Sequence, residues 1–152
     1  MVYDRQMIMR REAQDKRIAS ILGEIEDLSF DKTIDIFYEY LKTNLLLPCK
    51  VTGIEDFRWE EIYVIGPGDK EEYDNLKKTR PSYTDHYDLL GIDRKGKSGW
   101  MLFWEDDIGA IVRRISDGKE FLLGLSELKA TDKKSKNYEL LDDYSVWFVN
   151  NR

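Results

Sequence analysis

Apolar residues recur at spacings of three and four through the first part of the chain. From about Asp4 to Leu28, the positions Ile18, Ile21, Leu22, Ile25 and Leu28 form one stripe, which predicts an amphipathic helix. Its opening half (Arg10, Arg11, Glu12, Asp15, Lys16, Arg17) is highly charged and is expected to project from the body. After a break at Ser29-Phe30, Asp31 is the expected N-cap of a second helix, because its side-chain oxygen can accept an orphan backbone N–H. Ile34, Phe37, Leu41 and Leu45 line one face of that helix, and Pro48 cannot continue it. Residues 1–47 therefore read as an antiparallel helical pair.

After Pro48 the period changes. Lys50–Ile54 and Ile62–Ile65 are rich in β-branched and aromatic residues and read as strands. Gly66-Pro67-Gly68-Asp69 is a turn signal, and Glu71 to Lys78 suits a short polar helix. Further strands are expected at Tyr87–Ile92, Trp100–Trp104 and Gly109–Ile115. A hairpin turn at Ser116–Lys119 leads to a last strand at Glu120–Leu125. Ser126–Leu128 suggests a single helical turn. Leu140, Leu141, Tyr144, Trp147 and Phe148 give the tail a helical stripe, although Val146–Val149 also reads as a strand. The fold class that follows is α+β: the helical pair, then a small, strongly bent antiparallel sheet or barrel over 48–152 with a C-terminal helical segment, all in one globular unit.

Charge narrows the partners. The 152 residues carry a net charge of -6, with 36% charged and 41% hydrophobic side chains. An acidic surface argues against nucleic acid, which needs basic contacts to phosphate, and is compatible with cations or a basic protein partner. A single cysteine, Cys49, excludes an intramolecular disulfide and a thiolate zinc cluster, and is expected to be a small buried hydrophobe. The N-terminus lacks the apolar core of a signal peptide, and no segment approaches the length of a membrane span. A soluble, cytoplasmic protein is the expectation.

The candidate chemistry is carboxylate chemistry. Acidic residues fall in groups: Glu55-Asp56, Glu60-Glu61, Asp85 with Asp88, Glu105-Asp106-Asp107 and Asp142-Asp143. Calcium takes six to eight oxygens from carboxylates, carbonyls and hydroxyls, so a loop-rich β domain could gather several such groups into a site. Each group taken singly also reads as a solvated turn. An EF-hand is excluded, because Arg94, Lys95 and Lys97 stand where its ligands belong. His86 is the only histidine. Although it adjoins Asp85, neighbouring residues on a strand face opposite ways, which disfavours a catalytic dyad. No nucleophile elbow, phosphate loop or dinucleotide fingerprint occurs, so an enzyme is not expected. The aromatic residues Phe57, Trp59, Tyr63, Trp100, Phe103, Trp104, Tyr144, Trp147 and Phe148 read as core. Arg113-Arg114 and the lysines 129, 133, 134 and 136 read as solvated faces able to pair with the carboxylates.

From about Tyr38 onward the chain resembles the small acidic calcium-binding protein family first described in cyanobacteria. The resemblance lies in the order of Tyr40-Leu41, Leu47-Pro48-Cys49, Phe57-x-Trp59-Glu60-Glu61, Pro81-Ser82-Tyr83-Thr84-Asp85, Asp107-Ile108, Val112-Arg113-Arg114, Phe121-x-Leu123-x-Leu125-Ser126-x-Leu128 and Leu141 to Phe148. It implies a compact SH3-like β-barrel with helical additions, calcium bound through surface carboxylates, and a role in buffering or sequestration. Glu60, Glu61, Thr84, Asp85 and Asp107 lie in the resembling segments, and Asp106 joins them by adjacency. These six are the expected metal ligands. The competing reading is an SH3-like interaction module that binds a protein partner without metal. A homodimer through the first helix is a further expectation, set against that helix packing on the second.

Overall fold

The computed structural model describes residues 5–23, 29–94 and 106–151. Helix α1, Arg5–Leu22, stops short of its predicted end. Gly23 takes a φ of 74° and its N–H bonds back to the Ala19 carbonyl at 2.9 Å, a left-handed stop that glycine permits without steric cost. Ile25 and Leu28 lie outside the described residues. Helix α2, Phe30–Asn44, is capped by Ser29 and not by Asp31. The Ser29 side chain accepts from the Lys32 N–H, while Asp31 sits in the first turn, where a negative charge suits the helix dipole.

Helix α1 is exposed along residues 5–13 and packs on the body through its second half. Ile18, Ile21 and Leu22 pack against the core, and α1 lies against both α2 and α5 (Lys136–Asn151). Three of the five stripe positions are thus used inside the chain. Gln14 and Arg17 add polar anchors. Arg17 donates to both Asp143 oxygens at 2.9 and 3.0 Å, and Gln14 donates to Asp142 and Asp143.

Five antiparallel strands form one sheet in the order β4-β3-β2-β1-β5: β1 Cys49–Gly53, β2 His86–Asp93, β3 Gly109–Arg114, β4 Glu120–Gly124 and β5 Leu128–Ala130. Val51 of β1 faces Tyr87 of β2 on one side and Ala130 of β5 on the other. The ladder between β2 and β3 slips at Leu89/Gly91. Among the described residues the expected barrel is not closed. The edge strands β4 and β5 are separated by a single 3-10 turn, Leu125–Glu127, and no ladder joins them among the described residues. β5 had no counterpart in the sequence pattern, since three residues are too few to show alternation. The predicted strand Trp100–Trp104 lies outside the described residues.

One predicted strand is a helix. Ile62–Ile65 falls in α3, Glu61–Val64, which follows a 3-10 turn at Arg58–Glu60. Tertiary contacts override the β-branched preference here. The Tyr63 ring stacks on Tyr73 of α4 (Lys70–Leu76) with centroids 5.1 Å apart, and the Gly68 N–H donates to the Ile62 carbonyl at 2.6 Å. The tail resolves as helix: α5 buries Leu140, Leu141, Tyr144, Trp147 and Phe148 on the face its stripe predicts.

The core lies between the sheet and the α2–α5 pair, with Ile34, Phe37 and Leu41 meeting Val51, Leu89, Val112 and Tyr144. Phe37 packs edge-on to Tyr144 at 5.3 Å, and Phe30 stacks on Trp147 at 5.4 Å. Cys49 is only half-buried, at the margin of this core. Burial raises its thiol pKa.

Candidate functional site

The loop between α4 and β2 is held from below by one buried carboxylate. Glu60, fully buried, is set at the end of its 3-10 turn by the reach of its own side chain back to the Phe57 N–H at 3.3 Å. The same Oε1 accepts the Tyr83 N–H at 2.8 Å. The other oxygen accepts the Ser82 hydroxyl at 2.7 Å and the Tyr73 hydroxyl at 2.5 Å. Four donors surround it, which is how a buried charge without a cationic partner is kept solvated. Burial first, and then the hydrogen bond to Glu60, raises the Tyr73 phenol far above its usual range.

Ser82 links this carboxylate to the turn that follows. Its hydroxyl lies 3.0 Å from the Thr84 hydroxyl and accepts the Thr84 N–H, while its own N–H donates to Asp85 at 3.1 Å. The Tyr87 hydroxyl donates to the Ser82 carbonyl at 2.6 Å. From the β1 side, the Thr52 hydroxyl donates to the carbonyls of Tyr83 and Asp85. Gly53 permits the approach: a Cβ there would fall 2.6 Å from the Tyr83 Cα and 2.7 Å from its carbonyl oxygen.

Arg114 closes the loop from β3. The sequence pattern placed it on a solvated face, yet its side chain is 3% exposed. The guanidinium donates to Asp85 at 3.1 Å, to both Asp117 oxygens, and to the carbonyls of Lys77, Lys78 and Arg80. It therefore caps the carbonyl end of α4 and fixes Asp85 in one move. The same contact holds the Asp117 carboxyl down at about 2 and lifts Arg114 itself. No signal in the sequence separated Arg114 from its exposed neighbour Arg113. The strand alternation that buries one of a pair was visible, but its phase was not.

A second buried carboxylate stands apart from the first. Asp107, 2% exposed, precedes β3 and shares no hydrogen-bond partner with Glu60. It accepts the Ile108 N–H at 2.8 Å, the Tyr144 hydroxyl at 2.6 Å, and both the N–H and hydroxyl of Ser126. It thereby ties β3 to the 3-10 turn and to α5. Burial pushes its pKa up to about 6 against the opposing pull of these donors.

The six expected ligands therefore divide. Glu60, Thr84 and Asp85 converge on Ser82. Glu61 is exposed at the start of α3, beside but outside that cluster. Asp106 and Asp107 belong to the other locus, the first half-exposed and the second buried. Thr84 is exposed and Asp85 half-exposed, whereas Glu60 and Asp107 present saturated oxygens. Among the described residues no three His, Cys, Asp or Glu side chains gather as a metal-holding group. Ser82, Tyr73, Tyr87 and Arg114 organise the site and were not foreseen, because their roles depend on contacts between distant segments.

Taken together, these features define an α+β protein with an antiparallel sheet, open among the described residues, and a tightly tied Ser82–Asp85 turn beside it. Two solved structures share this fold. One is the crystal structure of Anabaena CcbP, 19% identical, covering 97% of this chain and 93% of that one at a TM-score of 0.54. The other is described as a calcium binding protein in the calcium-binding form, 20% identical, covering 94% of each chain at a TM-score of 0.57. No family model matches the chain. No curated protein matches it. Among the described residues, no helix is long and apolar enough to cross a membrane.

Proposed function

We propose that this protein binds calcium at the Ser82–Asp85 turn, in a non-enzymatic buffering or sequestering role in the cytoplasm. The observation that carries this reading is the convergence of Glu60, Thr84 and Asp85 on Ser82, on a fold shared with a calcium binding protein in its calcium-binding form. Asp85 and the Thr84 hydroxyl are the inner oxygens, with exposed Glu61 of α3 as a further carboxylate. Asp106 offers a second, separate locus. Glu60 and Asp107 act from behind: their oxygens hold the loops that present the ligands, as carboxylates behind a metal shell commonly do. Few charged ligands make a weak site, one that fills during calcium surges. The sheet itself reads as SH3-like, since edge strands joined by one 3-10 turn suit a strongly bent ladder, and residues 1–47 and 48–152 act as one unit.

The test is calorimetric titration of the full chain with calcium and with magnesium. A saturable calcium isotherm, weakened about tenfold by Thr84→Ala with Glu61→Gln, supports the reading. Absence of both heat and a thermal shift at millimolar calcium overturns it, because a ligand that binds only the folded state must raise stability.

A further inference from the structure

The run the sequence marks as a strand is the most exposed apolar segment among the described residues. Ile62 is 52% exposed, Val64 44% and Ile65 79%. Gly66 and Pro67 after them are exposed as well. β-branched side chains are poor helix formers, and in α3 they gain little from burial within the protein. Their backbone is nonetheless firmly held. The Ile65 N–H bonds to the Glu61 carbonyl at 2.9 Å, the Gly68 N–H bonds to the Ile62 carbonyl, and Tyr63 lies flat on Tyr73. A Cβ on Gly68 would meet both the Ile62 carbonyl and the Tyr63 ring at 2.6 Å, so the glycine lets this turn close. The surface is pre-organised, and a partner would bind it without first ordering it.

The charge around it is equally uneven. Residues 54–76 carry eight acidic and two basic side chains, a net of -6, bordered on the aromatic side by Lys77 over the Tyr73 ring at 4.4 Å and Arg80 over the Trp59 ring at 5.4 Å. The remaining residues are balanced. All eight carboxylates except Glu60 are exposed or half-exposed, and Glu72 lies near the Tyr63 phenol at the middle of the apolar run.

We propose that the Ile62–Ile65 surface docks a basic amphipathic segment of a partner protein. Ile62 and Ile65, three apart on one helical face, receive its aliphatic side chains, and the surrounding carboxylates receive its lysines and arginines. Nucleic acid and anionic membranes are repelled by this charge. A second copy would place like charge against like across the dimer axis.

The probe is a short synthetic helix with leucine on one face and lysine on the other, titrated into the isotopically labelled full chain with chelator present. Chelation keeps the outcome separate from calcium binding. The expected result is saturable chemical-shift change centred on residues 54–76, weakened at least about tenfold by Ile62→Ser with Ile65→Ser and weakened by salt. The double variant should keep the circular dichroism of the parent, since both side chains face solvent. A control helix with serine in place of leucine should bind at least about tenfold more weakly. Shifts centred elsewhere, an unchanged affinity for the double variant, or equal binding of the serine helix overturns the proposal. So does association with anionic vesicles, or self-association that the double variant abolishes.

Discussion

The Tyr144 hydroxyl donates to Asp107 at 2.6 Å across the junction of β3 and α5, beneath the Ile108 N–H. This pair joins a buried acid to a buried phenol, and burial raises the pKa of both. Its consequence is a stability that depends on pH in an unusual direction. The Asp107 carboxyl moves from 3.8 in the open chain to about 6 in the fold, so the folded state binds the proton more tightly. The contribution is fully present below about pH 4 and is lost as pH rises through 6, on the order of 2–3 kcal/mol. Thermal midpoints of the parent should therefore fall relative to those of Asp107→Asn between pH 4.5 and 7.5, in steps read by calorimetry. Parallel curves for the two proteins would contradict this.

Asp117 works with the opposite sign in a different window. Its carboxyl is held down at about 2 by Arg114, so its stabilisation is present above pH 4 and disappears as pH falls through about 2. Asp117→Asn should flatten the acid limb of the stability curve below pH 4 while leaving the limb near pH 6 unchanged. Acid titration followed by tryptophan fluorescence measures it.

Glu60→Ala should be among the most damaging single substitutions in the chain. It removes the acceptor of the Phe57 and Tyr83 N–H groups and of the Tyr73 hydroxyl, and leaves the Ser82 hydroxyl with Thr84 alone. Each unsatisfied buried donor costs about 1–3 kcal/mol, part of which relaxation and water recover. A loss of roughly 3–5 kcal/mol in urea unfolding is expected. Tyr73→Phe removes one donor of the four and should cost about 1 kcal/mol.

The Gly53 contact predicts a local effect on ligand binding. A methyl group there collides with the Tyr83 backbone and must push the Ser82–Asp85 turn outward. Gly53→Ala should lower calcium affinity about tenfold or more while the α5 core keeps its amide exchange protection. Unchanged affinity would detach the turn from the metal.

Arg17→Ala tests how α1 is held. It leaves Asp143, whose side chain is 1% exposed, without its cation, and Gln14 as the remaining donor from α1. The expected cost is about 1–3 kcal/mol. Hydrogen exchange should show amides of α1 opening before those of the sheet.

Much of this architecture was legible in the chain because it follows from periodicity. The α5 stripe, the β1, β2, β3 and β4 runs and the Gly66–Asp69 turn all lie where the pattern puts them. The failures share a cause. Ile62–Ile65 looks like a strand by composition, but a ring stack with Tyr73 and a backbone bond from Gly68 decide its shape. Glu60 and Asp107 look like surface acids beside Glu61 and Asp106, yet one of each pair is turned inward by donors from segments 19 to 37 residues away. Arg114 differs from Arg113 only in the phase of a strand. Local sequence carries propensity and period. Which member of a charged pair is enclosed is set by what the rest of the chain brings to it.

The position of β1 has a consequence for how the chain assembles. β2, β3 and β4 follow one another and pair with their sequence neighbours, so that meander forms from hairpin contacts alone. β1 must also receive β5, with Val51 opposite Ala130, a closure across most of the chain that cannot occur until the C-terminal segment exists. During synthesis the flank of β1 stays open while the meander is already made, and β5 with α5 arrives last to seal it. Such long-range closures slow folding, and chains cut before Leu128 should expose an unpaired strand edge prone to association.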